Sequence, residues 1–473
     1  MARIVGLQTV IQFAIDFTAS LIVARLLSPH EIGSFSIALG AVVIAQTLRS
    51  AGVNMFLMAA PSLDEGKVRT ALGLAMVSSF AFAVVIFAAA PLIASFYREP
   101  VITNVLRIIC IGYLLAPYQV VAAGLLTRAL RFKSIAVVTL LGSVVSAGTA
   151  ITLALQGWGS LSMAYAALAH AVVYFIGLIA LRPPLFVFRP ALVEWRSISS
   201  FTGWVLGGTL LSQFGPRLNE LFVGRSLGIA PAAFLDRAEM LPRMLWNYVS
   251  PPVLAILGPL VAHELRSGVD AHATVLVRMR LFGCIFSPIL IGMATQSAPI
   301  LIGLYGWQWQ ASIAPAPWLC VAAAITGQFV VLNASLNGLG EARALFFLGL
   351  TEQAARIVML VMLVMLSTTH IEWVAAGAVG VSLVYAAAAI RLGIRLKLFS
   401  LREVLASLAP AIAICAVVGA AGVGIDFARG GGIPPHPISA VLEAAGILAV
   451  VWVAAVAIFQ RAVIVALWKV VKH

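Results

Sequence analysis

Arginine inside hydrocarbon is the chemistry this sequence puts forward first. Arg49, Arg217, Arg237 and Arg356 each fall within a long apolar run. An ionised side chain at mid-bilayer costs roughly 2.5–3.5 kcal/mol on insertion scales, so such groups turn to a protein interior or a watery cavity. Guanidinium forks hold phosphate through paired hydrogen bonds. A chamber lined by these four residues would take an anionic substrate. The plainer alternative is that they snorkel or pair with acids. Glu352 and Arg356 are spaced i, i+4 and share a helix face, and Asp236 or Glu239 stands within reach of Arg237 or Arg243.

Amides and carboxylates add to the polar set. Gln8, Gln12 and Asp16 repeat at i, i+4, i+8, a stripe that cannot comfortably face lipid. Gln46 and Asn219 are further candidates. Such groups either hydrogen-bond sugars or join helices together. Asp16 and Glu220 are the intramembrane carboxylates that could take up a proton or sodium ion. No metal site is expected, because the seven histidines are scattered and form no HExxH. Cys110, Cys284, Cys320 and Cys415 lie in apolar stretches without a CxxC pair and read as small hydrophobes. No Walker A loop, dinucleotide fingerprint or GxSxG elbow stands in a suitable context, so no cofactor and no catalytic activity are expected.

The elements that must carry these residues are membrane helices. Of 473 residues, 62% are hydrophobic and 10% charged, with a mean hydropathy of +1.06. Soluble domains run nearer half apolar and a quarter charged, so lipid is the solvent for most of this chain. Fourteen windows suit membrane crossing: 5–27, 34–57, 70–95, 105–127, 135–155, 160–181, 200–223, 231–257, 275–303, 312–336, 344–366, 373–394, 404–425 and 438–462. The first reads as a retained helix rather than a cleaved signal. The expected fold is therefore all-α and polytopic. Outer loops this short exclude a membrane enzyme built on a large catalytic loop.

The net charge of +13 follows topology and does not point to nucleic acid. With the N-terminus inside, 20 Lys and Arg fall on the cytoplasmic side and 5 (Arg25, Arg98, Arg107, Arg225, Arg429) on the outer side. That bias places both termini in the cytoplasm. A short repeat runs through the chain. Val23-Ala24-Arg25-Leu26-Leu27-Ser28 returns 200 residues on as Val223-Gly224-Arg225-Ser226-Leu227-Gly228. Six spans separate the copies, so both cross in the same sense, as parallel repeats do. The expected organisation is a six-helix lobe over 1–181, a second over 182–394, and a two-helix extension over 395–473.

Four motifs carry a family likeness: Ala24–Gly33 (ARLLSPHEIG); Val223–Gly228 with Arg237–Pro242 (RAEMLP); Leu304–Trp309 (LYGWQW); and Asn337–Gly340 (NGLG). In order and spacing they resemble the Wzx-type polysaccharide transporters, the oligosaccharide flippases of the multidrug/oligosaccharidyl-lipid/polysaccharide exporter superfamily. The resemblance implies two lobes that switch between inward and outward states in a bacterial inner membrane. It implies a polyprenyl-pyrophosphate-linked oligosaccharide as substrate, with a polysaccharide polymerase and glycosyltransferases as partners. A peptidoglycan-precursor flippase is the nearest rival. A drug antiporter of the same superfamily would want an acid-lined cavity, whereas acidic and basic intramembrane residues are balanced here.

Overall fold

The structure is a computed structural model that describes residues 2–42, 57, 63–192, 215, 217–266, 271–339, 341–366, 370–430 and 432–460. Two compact units divide the chain, Met1–Ala233 and Phe234–His473. No strand occurs among the described residues.

The first unit holds α1 (Ala2–Leu26), α2 (29–42), α3 (Glu65–Tyr97), α4 (Val101–Arg128), α5 (Phe132–Leu155), α6 (Ser160–Ala180) and α7 (217–226). α8 (Ile229–Arg266) starts at its end. The second unit continues with α9 (Ala271–Thr295), α10 (Ser297–Tyr305), α11 (Ala316–Gly327), α12 (Val330–Gly338), α13 (Ala342–Met365), α14 (Ile371–Arg395), α15 (Leu401–Ala428) and α16 (Pro437–Phe459). Eleven described helical stretches, with α11 and α12 together making one of them, are long and apolar enough to cross a membrane, and each coincides with an expected window. The windows 34–57 and 200–223 fall partly outside the described residues. The window 231–257 lies within α8, whose 38 residues extend about 57 Å at 1.5 Å per residue.

The 200-residue repeat is reproduced in the helix ends and in their flanking hydrogen bonds. α1 ends at residue 26 and α2 starts at 29; α7 ends at 226 and α8 starts at 229. Leu27 N donates to the Val23 carbonyl at 2.9 Å, and Leu227 N to the Val223 carbonyl at 2.8 Å. Ile32 N donates to Ser28 O at 3.1 Å, and Ala232 N to Gly228 O at 3.3 Å. These two restarts also touch. Gly33 sits so close to the Ile229 carbonyl that any Cβ there would overlap it.

Helix pairing repeats as well. α3 packs on α4, α4 on α6 and α5 on α6 in the first unit; α9 packs on α11, α11 on α14 and α13 on α14 in the second. α15 rests on α9, and α16 on α10 and α15. The division into units falls later than the expected lobe boundary at 181. α7 packs inside the first unit, where Tyr97 Oη donates to the Leu221 carbonyl at 3.2 Å.

Two expected spans are interrupted. The window 275–303 breaks at Gln296 between α9 and α10. Pro299 explains it, since proline has no N–H for the Thr295 carbonyl and its ring crowds that oxygen. The window 312–336 breaks at Gln328, where the N–H groups of Gln328 and Phe329 bond three residues back, to Ile325 and Thr326, and tighten the turn.

Candidate functional site

In the first unit, α7 brings three expected residues together. Arg217 Nη1 donates to Glu220 Oε2 at 2.7 Å. Glu220 and the neighbouring Asn219 are buried, and Asn219 Oδ1 accepts no hydrogen bond from the described residues. α7 is fixed by Tyr97 and by Arg225, whose guanidinium lies 4.9 Å over the Phe96 ring. The stem of Arg217 lies alongside Gly40 of α2. On α1, Gln8 and Gln12 are half-buried and Asp16 is exposed. Arg49 and Gln46 lie outside the described residues.

In the second unit the remaining cations have company. Arg237 is buried, with its guanidinium 5.3 Å from the ring centres of both Tyr305 and Trp309. Trp309 in turn meets Phe234 edge-on at 6.0 Å. Gly306, at φ 94°, turns the chain after α10 so that Trp309 folds back onto α8. The RAEMLP and LYGWQW motifs, far apart in sequence, are thus one contact. Beside them Arg243 bonds Asp236 at 3.1 Å and Glu239 at 2.7 Å. On α13, Arg356 pairs with Glu352 at 2.9 Å.

The three described cation candidates therefore differ in what they offer. Arg237 is boxed by aromatic faces and holds α8 to the segment after α10. Arg217 and Arg356 each carry a carboxylate on their own helix, one turn away. An arriving anion must displace that carboxylate or find it neutral. Two further polar pairs lie in the second unit: Gln328 donates to Ser287 Oγ at 2.6 Å, and Asn333 to Tyr385 Oη at 2.8 Å. Ser287 and Tyr385 were not among the sequence-derived candidates. Each sits in an apolar run with nothing nearby in sequence to mark it.

Elsewhere, α5 and α6 splay to leave an apolar groove of about 520 Å³ that includes Val145, Leu153, Trp158, Tyr165 and Val172. It contains none of the expected site residues, and its walls suit hydrocarbon rather than a charged group. No group of three or more His, Cys, Asp or Glu placed to hold a metal occurs among the described residues. The four cysteines are unbridged, and Cys110, Cys284 and Cys320 are buried.

Comparison with known proteins adds to this geometry. The succinoglycan biosynthesis transport protein ExoT of Rhizobium meliloti (strain 1021) is 24% identical over 348 residues, 72% of this chain and 69% of that one. The lipopolysaccharide biosynthesis protein WzxC of Escherichia coli (strain K12) is 21% identical over 329 residues, 67% of this chain and 65% of that one. Among solved structures, the lipid II flippase MurJ in an inward closed conformation superposes with a TM-score of 0.78. It is 12% identical, with 97% of this chain and 99% of that one covered. At that identity the likeness is one of fold. The family described as polysaccharide biosynthesis protein matches residues 22–314. The chain spans the membrane many times and belongs to that polysaccharide biosynthesis protein family.

Proposed function

We propose that this protein is a flippase. It carries a polyprenyl-pyrophosphate-linked oligosaccharide across the bacterial inner membrane for surface polysaccharide synthesis. The observation that carries this reading is the alignment with a succinoglycan transport protein over 72% of the chain. The lipid anchor travels in the bilayer while the pyrophosphate and sugars cross through the protein. The protein supplies a path and makes or breaks no covalent bond. A polymerase and glycosyltransferases act before and after it.

The path is lined in part by Arg217, with Arg49, Arg237 and Arg356 as further cations and Gln8, Gln12, Gln46 and Asn219 as sugar-facing amides. Proton uptake by Glu220 would release Arg217 to the pyrophosphate; Asp16 is the second coupling carboxylate. The lobes that move are 1–181 and 182–394, with 395–473 as an accessory pair. The repeated helix pairing and the matched restarts at 26–29 and 226–229 support that symmetry. Both termini lie in the cytoplasm, as the basic bias requires.

The test is reconstitution. Purified protein in vesicles should move a short-chain polyprenyl-pyrophosphate oligosaccharide to the opposite leaflet, read by access of a sugar-modifying enzyme. A rate equal to that of protein-free vesicles would refute the proposal.

A further inference from the structure

One end of the first unit is built differently from the rest. There α3 and α5 begin, α4 and α6 finish, and the chain leaves α6 as an irregular strap over residues 182–192. The strap is tied down. Ala191 N donates to the Arg69 carbonyl at 3.0 Å, and Gly73 lies against the Ala191 carbonyl with no room for a Cβ. Leu185, at φ 60°, turns Phe186 inward, where it packs on Leu72 and Leu125 and on Leu126 and Leu178. Left-handed backbone is strained at a leucine, and it is held here with Phe186 packed against two apolar clusters.

Two arginine couples flank this strap. Arg69 Nε donates to the Arg189 carbonyl at 3.3 Å. Arg131 Nη1 donates to the Leu181 carbonyl at 3.2 Å, beside Arg182. A carbonyl fixes a guanidinium in place and leaves its charge in full. Among the described residues no carboxylate lies within ion-pair distance of these four arginines. Between them the strap exposes Leu185, Phe188 and Leu192, and Leu130 projects next to Arg131. Neither water nor hydrocarbon suits such a mixture. The headgroup layer suits both parts at once: leucine and phenylalanine dip into acyl chains while guanidinium groups meet phosphate.

We propose that the strap, with Arg69 and Arg131, is a binding surface for the phosphate groups of anionic phospholipids in the leaflet it faces. Basic bias assigns that leaflet to the cytoplasmic side. A topology signal needs only charge in a loop; fixed guanidinium groups on a packed, strained strap are more than that. The inference is independent of which substrate the protein carries.

The full chain in detergent, titrated with phosphatidylglycerol or phosphatidylcholine and read by native mass spectrometry, tests it. Phosphatidylglycerol should bind the more tightly. Arg69→Gln with Arg189→Gln should weaken it about twenty-five-fold, roughly fivefold per arginine near an anionic surface, and leave phosphatidylcholine unchanged. Arg131→Gln with Arg182→Gln should act alike. If a double variant loses its folded elution profile, exposed Arg182→Gln alone should still give about fivefold. Unchanged phosphatidylglycerol binding in folded variants overturns the proposal. So does a loss confined to polyprenyl diphosphate, which would make the strap a substrate station instead.

Discussion

Arg217 and Glu220 form an ion pair of 2.7 Å one turn apart on α7, with the carboxylate side chain 6% and the guanidinium 22% exposed. Removing one partner of a fully buried pair costs about 3–5 kcal/mol; the partial exposure of Arg217 brings this to about 2–3 kcal/mol. Arg217→Ala should therefore lower the melting temperature in detergent, because the buried Glu220 carboxylate loses its 2.7 Å partner. Arg217→Ala with Glu220→Ala should recover most of that stability and still fail to transport. Thermal unfolding and the vesicle assay separate the two effects. Transport by the double variant at the native rate would remove Arg217 from the substrate path.

Arg237 leads to a different expectation. Two ring faces at 5.3 Å make a desolvated cation–π site, worth about 2 kcal/mol. Lysine keeps the charge but lacks the flat guanidinium that lies between Tyr305 and Trp309. Arg237→Lys should lower stability by about 1–2 kcal/mol. Trp309→Ala, which empties a fully buried site, should cost about 3–5 kcal/mol. Both are read by thermal melting of the purified protein. An unchanged melting temperature for Trp309→Ala would mean that the segment after α10 does not brace α8.

Much of this is legible in the sequence. Long uncharged runs such as 70–95 gave their helices directly, since nothing but a helix satisfies the backbone in lipid. The four motifs led to the family whose match covers 22–314. Partners across helices were less accessible. Glu352 and Arg356 could be paired from spacing alone, because i, i+4 is a property of one helix. Arg237 with Trp309, or Asn333 with Tyr385, needed packing that one sequence does not encode visibly. The break at Gln296 had a local sign in Pro299, and it was hidden by the hydrophobicity around it. The arrangement of charge around 182–192 has no sign in the sequence, since the carbonyls that fix Arg69 and Arg131 come from other segments.

The two copies of the helix restart share the bonds of Leu27 and Leu227 but differ at the residue that follows: the Gly228 N–H bonds the Val223 carbonyl at positive φ, and the Ser28 N–H bonds the Glu31 carboxylate. At the first, Ser28 Oγ accepts from Glu31 N at 3.3 Å while the Glu31 carboxylate takes Ser28 N at 2.8 Å, a reciprocal cap. Glycine is nearly as good at an N-cap, so Ser28→Gly should cost only a few tenths of a kcal/mol, and Ser28→Ala about 1 kcal/mol. At the second, Gly228 sits at φ 110°, where a side chain is strained. Gly228→Ser should cost about 1–3 kcal/mol despite adding a capping hydroxyl. If capping chemistry alone governed these turns, Gly228→Ser would stabilise the protein. Thermal melting of the three variants decides it: a rise in melting temperature for Gly228→Ser would mean that the backbone there relaxes freely and that the positive φ at Gly228 imposes no strain.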